Sequence, residues 1–349
     1  MKSNIVKSLV GLSVVFLVNA CGDVGTNAND IKPDFGSNVI LPENLIASNK
    51  IVINGDRDIV ITGLQISNPT GNCVEIINNT SNIIIENSEI GPCGGNGVYV
   101  LSSSNNVTIR NNYIHDTEGE GIFVYLSKLI EVKNNQIERV STGVYIENSA
   151  QAEVDNNTIE NVRGPFPRGQ IVQFAYVKGS GNRITNNIGI NEPGFSYAED
   201  AINLYLSYGT PEDPIMISNN VIVGGGPSDS GGGILLGDGG DSSSYQVAEE
   251  NILVNPGQYG IGVSGGHHNS LINNTIFSKE LSYSNVGIYV WNQYNSSCSD
   301  ITVRNNAVNW TRNDGQLNGS WNGGNCGLIN DWSTNDWNAP IGEEIANNI

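Results

Sequence analysis

The segment IRNNYI at residues 109–114 shows the pattern that decides the fold of this chain. An apolar residue is followed by any residue, two asparagines, any residue and a second apolar residue. The pattern recurs as VKNNQI at residues 132–137, as VDNNTI at 154–159, and at 217–222, 271–276 and 303–308. Weaker copies begin at Ile61, Ile85, Ile184 and Val247. The chain is therefore built from about ten copies of one short unit.

The spacing between the copies predicts the architecture. Neighbouring copies begin 22 to 24 residues apart up to residue 154 and mostly 30 to 33 residues apart beyond it. Short strands and sharp turns at such a period are typical of a right-handed parallel β-helix, whose coils stack at ~4.8 Å. Asparagine tolerates the left-handed backbone of the turn, and stacked asparagines can hydrogen-bond along the axis. We therefore predict an all-β, single-stranded right-handed parallel β-helix of about ten rungs over residues 49–308, with a cap at each end.

The repeat resembles that of the pectate-lyase-like β-helix superfamily over roughly residues 50–308. Its short Asn-Asn-x-Ile form is similar to the repeats of NosD-type and mannuronan-epimerase-type β-helices. The resemblance implies a protein that acts on polysaccharide, and it favours a lyase because the superfamily is rich in lyases. It transfers no catalytic residue, because the Asp-Pro-His motif of mannuronan epimerases and the Asn-Thr-Asp and Gly-His-Gly motifs of polygalacturonases are absent.

The composition agrees with an extended, turn-rich protein and excludes several classes. The 349 residues include 42 glycines, only 15% are charged, and 35 acidic residues outnumber 16 basic ones. Glycine does not recur at every third position, which excludes collagen, and the low charge content excludes highly charged disorder. A net charge of -19 repels a polyanion, so we expect no nucleic-acid partner. We also expect a monomer.

The N-terminus has the features of a bacterial lipoprotein. Lys2 and Lys7 precede an apolar run too short to span a membrane, which is typical of a signal peptide over residues 1–20. Cys21 lies where a lipobox cysteine is acylated, and residues 21–48 then form the tether and N-terminal cap. We predict a lipid-anchored envelope protein, periplasmic or surface-exposed, in the outer membrane if the cell is Gram-negative. The mature chain keeps 14 basic and 35 acidic residues, a net charge of -21.

Four further cysteines are an even number in an oxidising compartment, which indicates disulfides. Proximity in sequence favours Cys73 with Cys93 and Cys298 with Cys326. A metal site is less consistent with the sequence, because no Cys-x-x-Cys spacing is present.

A second strand lies about 11 residues before each Asn-Asn turn, as in GVYV at residues 97–100 and GIFV at residues 121–124. Alternation directs Val98, Val100 and their equivalents inwards and the residues between them outwards. The outward column reads Tyr99, Phe123, Tyr145, Gln173, Asn203, Leu235, Gly262 and Tyr289. The column before the strands is mostly glycine: Gly97, Gly121, Gly143, Gly233, Gly260 and Gly287. We interpret the glycines as the floor of a sugar-binding groove and the rings as its wall; rings that merely stack on each other are the alternative.

The longer rungs between residues 156 and 273 place polar loops beside this groove. The loops ahead of the strands contribute Arg168, Gln170, Glu199, Asp200, Asp229, Gln258 and Tyr259. The loops behind the strands contribute Lys178, Tyr205, Tyr208, Asp238, Asp241, His267, His268, Asn292 and Gln293. We expect substrate contacts from Tyr145, Gln173, Asn203, Tyr205, Tyr259, Tyr289, Trp291 and Asn292.

Two reaction types fit these residues. A lyase must neutralise a uronate and remove its C5 proton, for which Arg168, Lys178, Tyr205 and His267 are available. A glycoside hydrolase needs two carboxyl groups about 5 to 9.5 Å apart, which Glu199, Asp200, Asp229, Asp238 and Asp241 could supply. The first hypothesis is a lyase with catalytic candidates Arg168, Lys178, Glu199, Asp200, Asp238 and His267. The alternatives are a hydrolase and a non-catalytic glycan-binding protein or adhesin.

Several candidates also have structural explanations. For Arg168 the alternative is an ion pair with Glu199 or Asp200, and for the two histidines at 267 and 268 it is plain solvation. For Asp238 and Asp241 the alternatives are turn formation and Ca²⁺ binding, although the repeated calcium-binding nonapeptide is absent. No other cofactor is implied. After the last repeat, residues 309–349 form a predicted C-terminal cap containing Cys326 and Trp310, Trp321, Trp332 and Trp337.

Overall fold

A computed structural model describes residues 39–228 and 230–348. The predicted signal peptide, the lipidation site Cys21 and the candidate Asp229 lie outside the described residues. The chain winds through three parallel sheets of 11 strands each, and every strand except the first and last of a sheet pairs with its equivalents on the coils before and after it. The predicted right-handed parallel β-helix is confirmed, with 11 strands per sheet where about ten rungs were expected.

The strands of the three sheets follow one another in strict rotation. Sheet 1 consists of Ile46–Ser48, Leu64–Asn68, Glu89–Cys93, Tyr113–His115, Gln136–Glu138, Thr158–Glu160, Ile188–Ile190, Val221–Val223, Ile252–Val254, Thr275–Ser278 and Ala307–Trp310. Sheet 2 consists of Ile51–Asn54, Val74–Ile77, Val98–Val100, Ile122–Tyr125, Val144–Glu147, Val172–Ala175, Ile202–Tyr205, Ile234–Leu236, Tyr259–Val263, Val286–Val290 and Ser320–Asn322. Sheet 3 consists of Arg57–Thr62, Ser81–Glu86, Asn105–Arg110, Lys128–Lys133, Ala150–Asp155, Arg183–Thr185, Ile215–Ser218, Gln246–Glu249, Ser270–Ile272, Ile301–Arg304 and Ile329–Asn330.

Few other elements are present in the described part of the chain. Gly266–His267 pairs with Cys298–Ser299 in a small two-stranded sheet, and three 3₁₀-helices span Gly240–Ser242, Trp332–Thr334 and Glu343–Asn348. None of these helices has the length and apolar character needed to cross a membrane.

The core is a column of stacked aliphatic side chains enclosed by the three sheets. The inward pairs predicted for sheet 2, from Val98 and Val100 to Ile288 and Val290, are at most 1% exposed. Both predicted disulfides are confirmed, Cys73 with Cys93 and Cys298 with Cys326. At the C-terminal end Trp310 is fully buried and Trp332 and Trp337 pack against the core, whereas Trp321 lies on the outward face of sheet 2 and is 45% exposed.

The two asparagines of each repeat have different functions. The first adopts the left-handed conformation, as Asn156 does with φ 52°, and turns the chain from sheet 3 into sheet 1. The second is buried and stacks on its equivalents: Asn157 Nδ2 donates to the main-chain oxygen of Val132 at 2.9 Å and to Asn187 Oδ1 at 3.0 Å. We call the column of second asparagines the asparagine ladder, which contains Asn112, Asn135, Asn157, Asn187, Asn220, Asn251, Asn274 and Asn306.

Candidate functional site

The outward face of sheet 2 carries the predicted column of side chains in register. Tyr99 pairs with Phe123, Phe123 with Tyr145, and the pairing continues through Gln173, Asn203, Leu235, Gly262 and Tyr289 to Trp321. The rings of Tyr99 and Phe123 stack with centroids 5.3 Å apart, and Phe123 meets Tyr145 edge to face at the same distance. The N-terminal part of this face is therefore a row of aromatic rings that contact one another.

The prediction that the glycine column floors an exposed groove is wrong. All six glycines are buried, and a Cβ built on Gly97 would lie 2.7 Å from Ile114 Cγ2 and 2.6 Å from the main-chain oxygen of Gly121. Gly121, Gly143 and Gly260 would likewise meet buried isoleucines of sheet 1. Glycine is needed here because sheets 1 and 2 meet at a corner too narrow for a side chain.

Arg168 lies over the aromatic row. Its guanidinium is 4.5 Å from the centroid of the Tyr145 ring, and its Nε lies 3.3 Å from Glu120 Oε1, two rungs away. The ion pair expected with Glu199 or Asp200 is therefore replaced by one with Glu120. The row of aromatic rings thus ends at Tyr145, which is covered by Arg168. The polar part of the face begins on the next rung, at Gln173.

The polar part of the face contains two carboxyl groups joined by one amide, and we call Asp200, Asn203 and Asp238 the carboxyl pair site. Asn203 Nδ2 donates to Asp200 Oδ2 at 2.9 Å and to Asp238 Oδ2 at 3.0 Å. Asn203 Oδ1 accepts from Gln173 Nε2 at 2.9 Å. Because both carboxylate oxygens bond to one nitrogen, at 2.9 Å and 3.0 Å, they lie at most about 6 Å apart.

The environment of Asp200 favours its protonated form. The residue is 6% exposed, and burial raises its pKa from 3.8 to about 7, with the charges of Glu199 and Asp238 acting in the same direction. Hydrogen bonds from Tyr259 and Asn203 oppose this shift but do not overcome it. The main-chain N–H of Gly232 also donates to Asp200 Oδ1, at 3.1 Å, so the carboxyl group is held in a fixed orientation.

Asp238 is less buried and is held by a tyrosine that sequence reasoning missed. Tyr294 donates its hydroxyl proton to Asp238 Oδ1, and burial followed by this hydrogen bond raises the pKa of Tyr294. Asn292, predicted to contact substrate, shapes the loop: its Oδ1 accepts from the main-chain N–H of Tyr294 at 3.1 Å and its Nδ2 donates to Ser296 O at 2.7 Å. The only signal for Tyr294 in the sequence is its place three residues after Trp291 in a long rung.

Two more tyrosines enclose the carboxyl pair site, and glycines make room for them. The rings of Tyr259 and Tyr289 meet edge to face at 5.0 Å, and both side chains are at least nine-tenths buried. A Cβ on Gly262 would lie 2.4 Å from the Tyr289 ring, and one on Gly232 would lie 2.7 Å from the Tyr259 ring. Burial, followed by the charge of Asp200, raises the pKa of both tyrosines, so their hydroxyl groups remain donors.

The other predicted catalytic residues lie around this site without joining it. Glu199 accepts hydrogen bonds from Ser228 at 2.7 Å and Ser230 at 2.5 Å. Lys178 lies at the downstream end of sheet 2, 5.6 Å from the Tyr208 ring. His267 lies in the turn towards sheet 3, where its Nδ1 is 2.8 Å from His268 Nδ1.

Two predicted sugar platforms are exposed at the downstream end. Tyr205 is 38% exposed and meets Tyr176 edge to face at 5.6 Å, and Trp291 is 41% exposed with its ring 5.5 Å from that of Trp321. Among the described residues, no group of three or more histidine, cysteine, aspartate or glutamate side chains is arranged to hold a metal ion.

Comparisons with known proteins agree with this architecture. Residues 49–207 match the family model described as right handed beta helix region, and no curated protein sequence matches the chain. Among solved structures, an alginate lyase from Paenibacillus sp. str. FPU-7 is 14% identical with a TM-score of 0.50, covering 80% of this chain and 99% of its own. A DFA-IIIase from Arthrobacter chlorophenolicus A6 is 11% identical with a TM-score of 0.52, covering 84% and 88%. The catalytic domain of a GH87 alpha-1,3-glucanase in complex with tetrasaccharides is 15% identical with a TM-score of 0.52, covering 83% and 63%. At these identities the similarity establishes the shared fold.

Proposed function

We propose that the protein is a glycoside hydrolase that binds a polysaccharide along the outward face of sheet 2 and cleaves it at the carboxyl pair site. The observation that carries this proposal is the linkage of Asp200 and Asp238 through Asn203, with the pKa of one carboxyl group raised to about 7. Hydrolysis of a glycosidic bond needs one carboxyl group that donates a proton and a second that is ionised. Asp200, whose pKa is raised, suits the proton donor, and Asp238, which is oriented by Tyr294 and Asn203, suits the second role.

In the proposed reaction, Asp200 gives its proton to the leaving sugar oxygen while the Asp238 carboxylate forms a bond to the anomeric carbon. Water then attacks that carbon, the bond to Asp238 breaks, and Asp200 takes a proton from the water. A separation of at most about 6 Å suits this double displacement, since retaining pairs lie roughly 5 to 5.5 Å apart and inverting pairs roughly 6.5 to 9.5 Å. Tyr294 and Asn203 hold the Asp238 carboxylate in position.

The basic residues support a hydrolase over the lyase that the family resemblance favours. Arg168 is paired with Glu120 and lies on Tyr145, and Lys178 lies beside Tyr208 at the other end of the strands. A lyase needs a cation and a base at one reacting sugar. Because the similar structures include both an alginate lyase and an alpha-1,3-glucanase, the choice rests on the side chains of this site.

A panel of neutral and uronic-acid polysaccharides tests the proposal. We expect new reducing ends without the ultraviolet absorbance of an unsaturated product, and retention of anomeric configuration by NMR. Asp200→Asn and Asp238→Asn should each lower the turnover number at least roughly 10²- to 10⁴-fold. This range is the usual contribution of a general acid or base. Arg168→Ala should raise KM and leave the turnover number within a few-fold.

The matched control is Glu153→Gln, which neutralises an exposed acid on the outward face of sheet 3. It should leave turnover unchanged, and circular dichroism should show that all variants are folded. Unsaturated products would support the lyase, and a protein that retains glycan on an affinity gel without cleaving any would support the non-catalytic alternative. Full turnover by Asp200→Asn would contradict the assigned roles.

We also propose that the chain is an envelope lipoprotein anchored through Cys21. The two disulfides support an oxidising compartment, as does the signal-peptide pattern of residues 1–20. Labelling with radioactive palmitate should mark the wild-type protein and not Cys21→Ala, which should be recovered in the soluble fraction. Equal labelling of both proteins would exclude this anchor.

A further inference from the structure

A pocket lies at the upstream edge of sheet 2, on its last two rungs, and we call it the Arg312 pocket. Its volume is about 280 Å³, and it is lined by Asn285, Val286, Arg312, Asn318 and Trp321. Val286 pairs in register with Tyr259, whose hydroxyl group bonds to Asp200, and Trp321 pairs with Tyr289. The pocket therefore continues the same face that carries the carboxyl pair site.

The guanidinium of Arg312 has donors that the protein does not use. Its Nε is buried and has no hydrogen-bond partner among the described residues. Its Nη2 lies 3.3 Å from Asp314 Oδ2, in a pair whose side chains are 40% and 42% exposed, so solvent weakens the attraction. Because the Arg312 side chain is half-exposed and its ion pair is weak, a planar carboxylate can reach the terminal nitrogens of the guanidinium and displace Asp314 from them.

The main chain fixes Arg312 in this position. Its N–H donates to the main-chain oxygen of Gln316 at 2.8 Å, and the next residue, Asn313, donates to Ser284 O at 2.9 Å. Ser284 Oγ in turn donates to the main-chain oxygen of Thr311 at 2.8 Å. The loop is thus tied to the preceding rung, and the backbone of Arg312 is already ordered before a ligand binds.

The rest of the pocket has the chemistry of a sugar subsite. The Trp321 indole is 45% exposed and can cover the apolar face of a pyranose ring. Asn318 Nδ2 donates to the main-chain oxygen of Asn285 at 2.9 Å, which holds the two asparagines together at the rim. An aromatic face, amide groups and a guanidinium held only by a half-exposed ion pair are the groups that would bind a sugar carrying a carboxylate.

We propose that the Arg312 pocket binds a uronate residue of the polysaccharide, with the guanidinium on its carboxylate and Trp321 against its ring. That the ligand is part of a polysaccharide rests on the proposed function; the choice of an acidic sugar rests on Arg312. Trp321 lies four rungs from Asn203 along the outward column, roughly 19 Å at 4.8 Å per rung, so the uronate lies several sugars from the bond that is cleaved. The pocket would give this acidic protein a specific way to bind an acidic polysaccharide.

Binding of free monosaccharides tests this subsite without any cleavage. The probes are glucuronate, galacturonate, mannuronate and guluronate, each compared with its neutral hexose by NMR of the Trp321 indole N–H and by calorimetry. We expect at least one uronate to bind at least tenfold more tightly than its neutral counterpart. Arg312→Ala should weaken that binding at least tenfold, and Arg312→Lys, which keeps the charge but not the fork, should weaken it less.

Arg304→Ala is the control, because Arg304 is an exposed arginine at the end of a strand of sheet 3. It should leave uronate binding unchanged, and thermal melts should confirm that all variants fold. The proposal is overturned if no uronate binds more tightly than its neutral counterpart, or if Arg304→Ala and Arg312→Ala weaken binding equally. This test does not depend on catalysis. If the hydrolase assignment is wrong, the Asp200 and Asp238 variants will show it, and the uronate will still bind to the Arg312 pocket.

Discussion

The asparagine ladder predicts how much stability the protein loses when alanine replaces either of two adjacent residues, Asn186 and Asn187. Asn187 is buried, and its Oδ1 accepts from the main-chain N–H and from Nδ2 of Asn157, both at 3.0 Å. Its Nδ2 donates to Val154 O at 2.9 Å and to Asn220 Oδ1 at 3.0 Å. Asn187→Ala removes all four bonds inside the core.

The cost follows from the number of hydrogen bonds lost. Asn157 Nδ2 keeps its bonds to Val132 and to Asp155, and Asn220 Oδ1 keeps its bond from the main chain of residue 187. The main-chain N–H of Asn157 loses its partner, and the carbonyl of Val154 loses its side-chain donor. At about 0.5 to 1.5 kcal/mol for each of the four bonds, the free energy of unfolding should fall by about 2 to 6 kcal/mol.

Asn186→Ala is the matched control, because it is the same chemical change one residue earlier. Asn186 is exposed and has φ 55°, and its side-chain Nδ2 donates to Asp155 Oδ1 at 2.8 Å. Alanine in the left-handed region should cost about 1 to 2 kcal/mol. Urea denaturation of both variants gives the two losses, and amide exchange of the Asn157 N–H shows whether the larger loss begins at the ladder.

An equal loss in the two variants, or a larger loss for Asn186→Ala, would refute the assignment of the second asparagine as the stacked one. Unchanged exchange at the Asn157 N–H would refute the mechanism even if the total loss were as expected.

Three further predictions concern the carboxyl pair site. Tyr294→Phe should lower turnover about 10- to 100-fold and the free energy of unfolding by about 1.5 to 3 kcal/mol, since it removes one hydrogen bond to the Asp238 carboxylate; full activity would exclude a positioning role. Gly262→Ala places a Cβ 2.4 Å from the Tyr289 ring, so melts should show a loss of about 1 to 3 kcal/mol, and no loss would mean that the ring is free to move. The pKa of Asp200 is raised, so the folded protein binds this proton more tightly than the unfolded protein does. The free energy of unfolding should therefore fall as the pH rises from 3.8 to about 7, and Asp200→Asn should remove this pH dependence. Turnover should fall above about pH 7, where Asp200 loses the proton that it donates.

Sequence reasoning succeeded wherever the repeat itself carries the information. The left-handed turn, the stacked asparagine and the inward aliphatic pairs recur in each rung, so one local pattern determines them many times over. The predicted outward direction of the glycine column is wrong because the alternation of side chains does not extend past the end of a strand. At Gly97 the chain has already bent towards sheet 1, and the position faces Ile114 instead of solvent.

The site itself was predicted only in part. Asp200 and Asp238 were placed in separate groups, one ahead of the strands and one behind them. They meet because the strand that carries Asn203 is only four residues long, so both of its ends lie near the Asn203 amide. The amide then donates to Asp200 and to Asp238. Arg168 and Tyr294 could not be placed, since their partners lie 48 and 56 residues away in sequence.

The amino-acid sequence is therefore sufficient to predict the β-helix, its core, its disulfide pairing and the face that carries the polar side chains. These features depend on spacing within a rung and on contacts between equivalent residues of adjacent rungs. The folded chain alone shows which acids share an amide, which arginine has an acidic partner and which tyrosine contacts Asp238. Those contacts join loops on rungs one or two coils apart, at positions that do not recur from rung to rung, so the repeat pattern does not predict them.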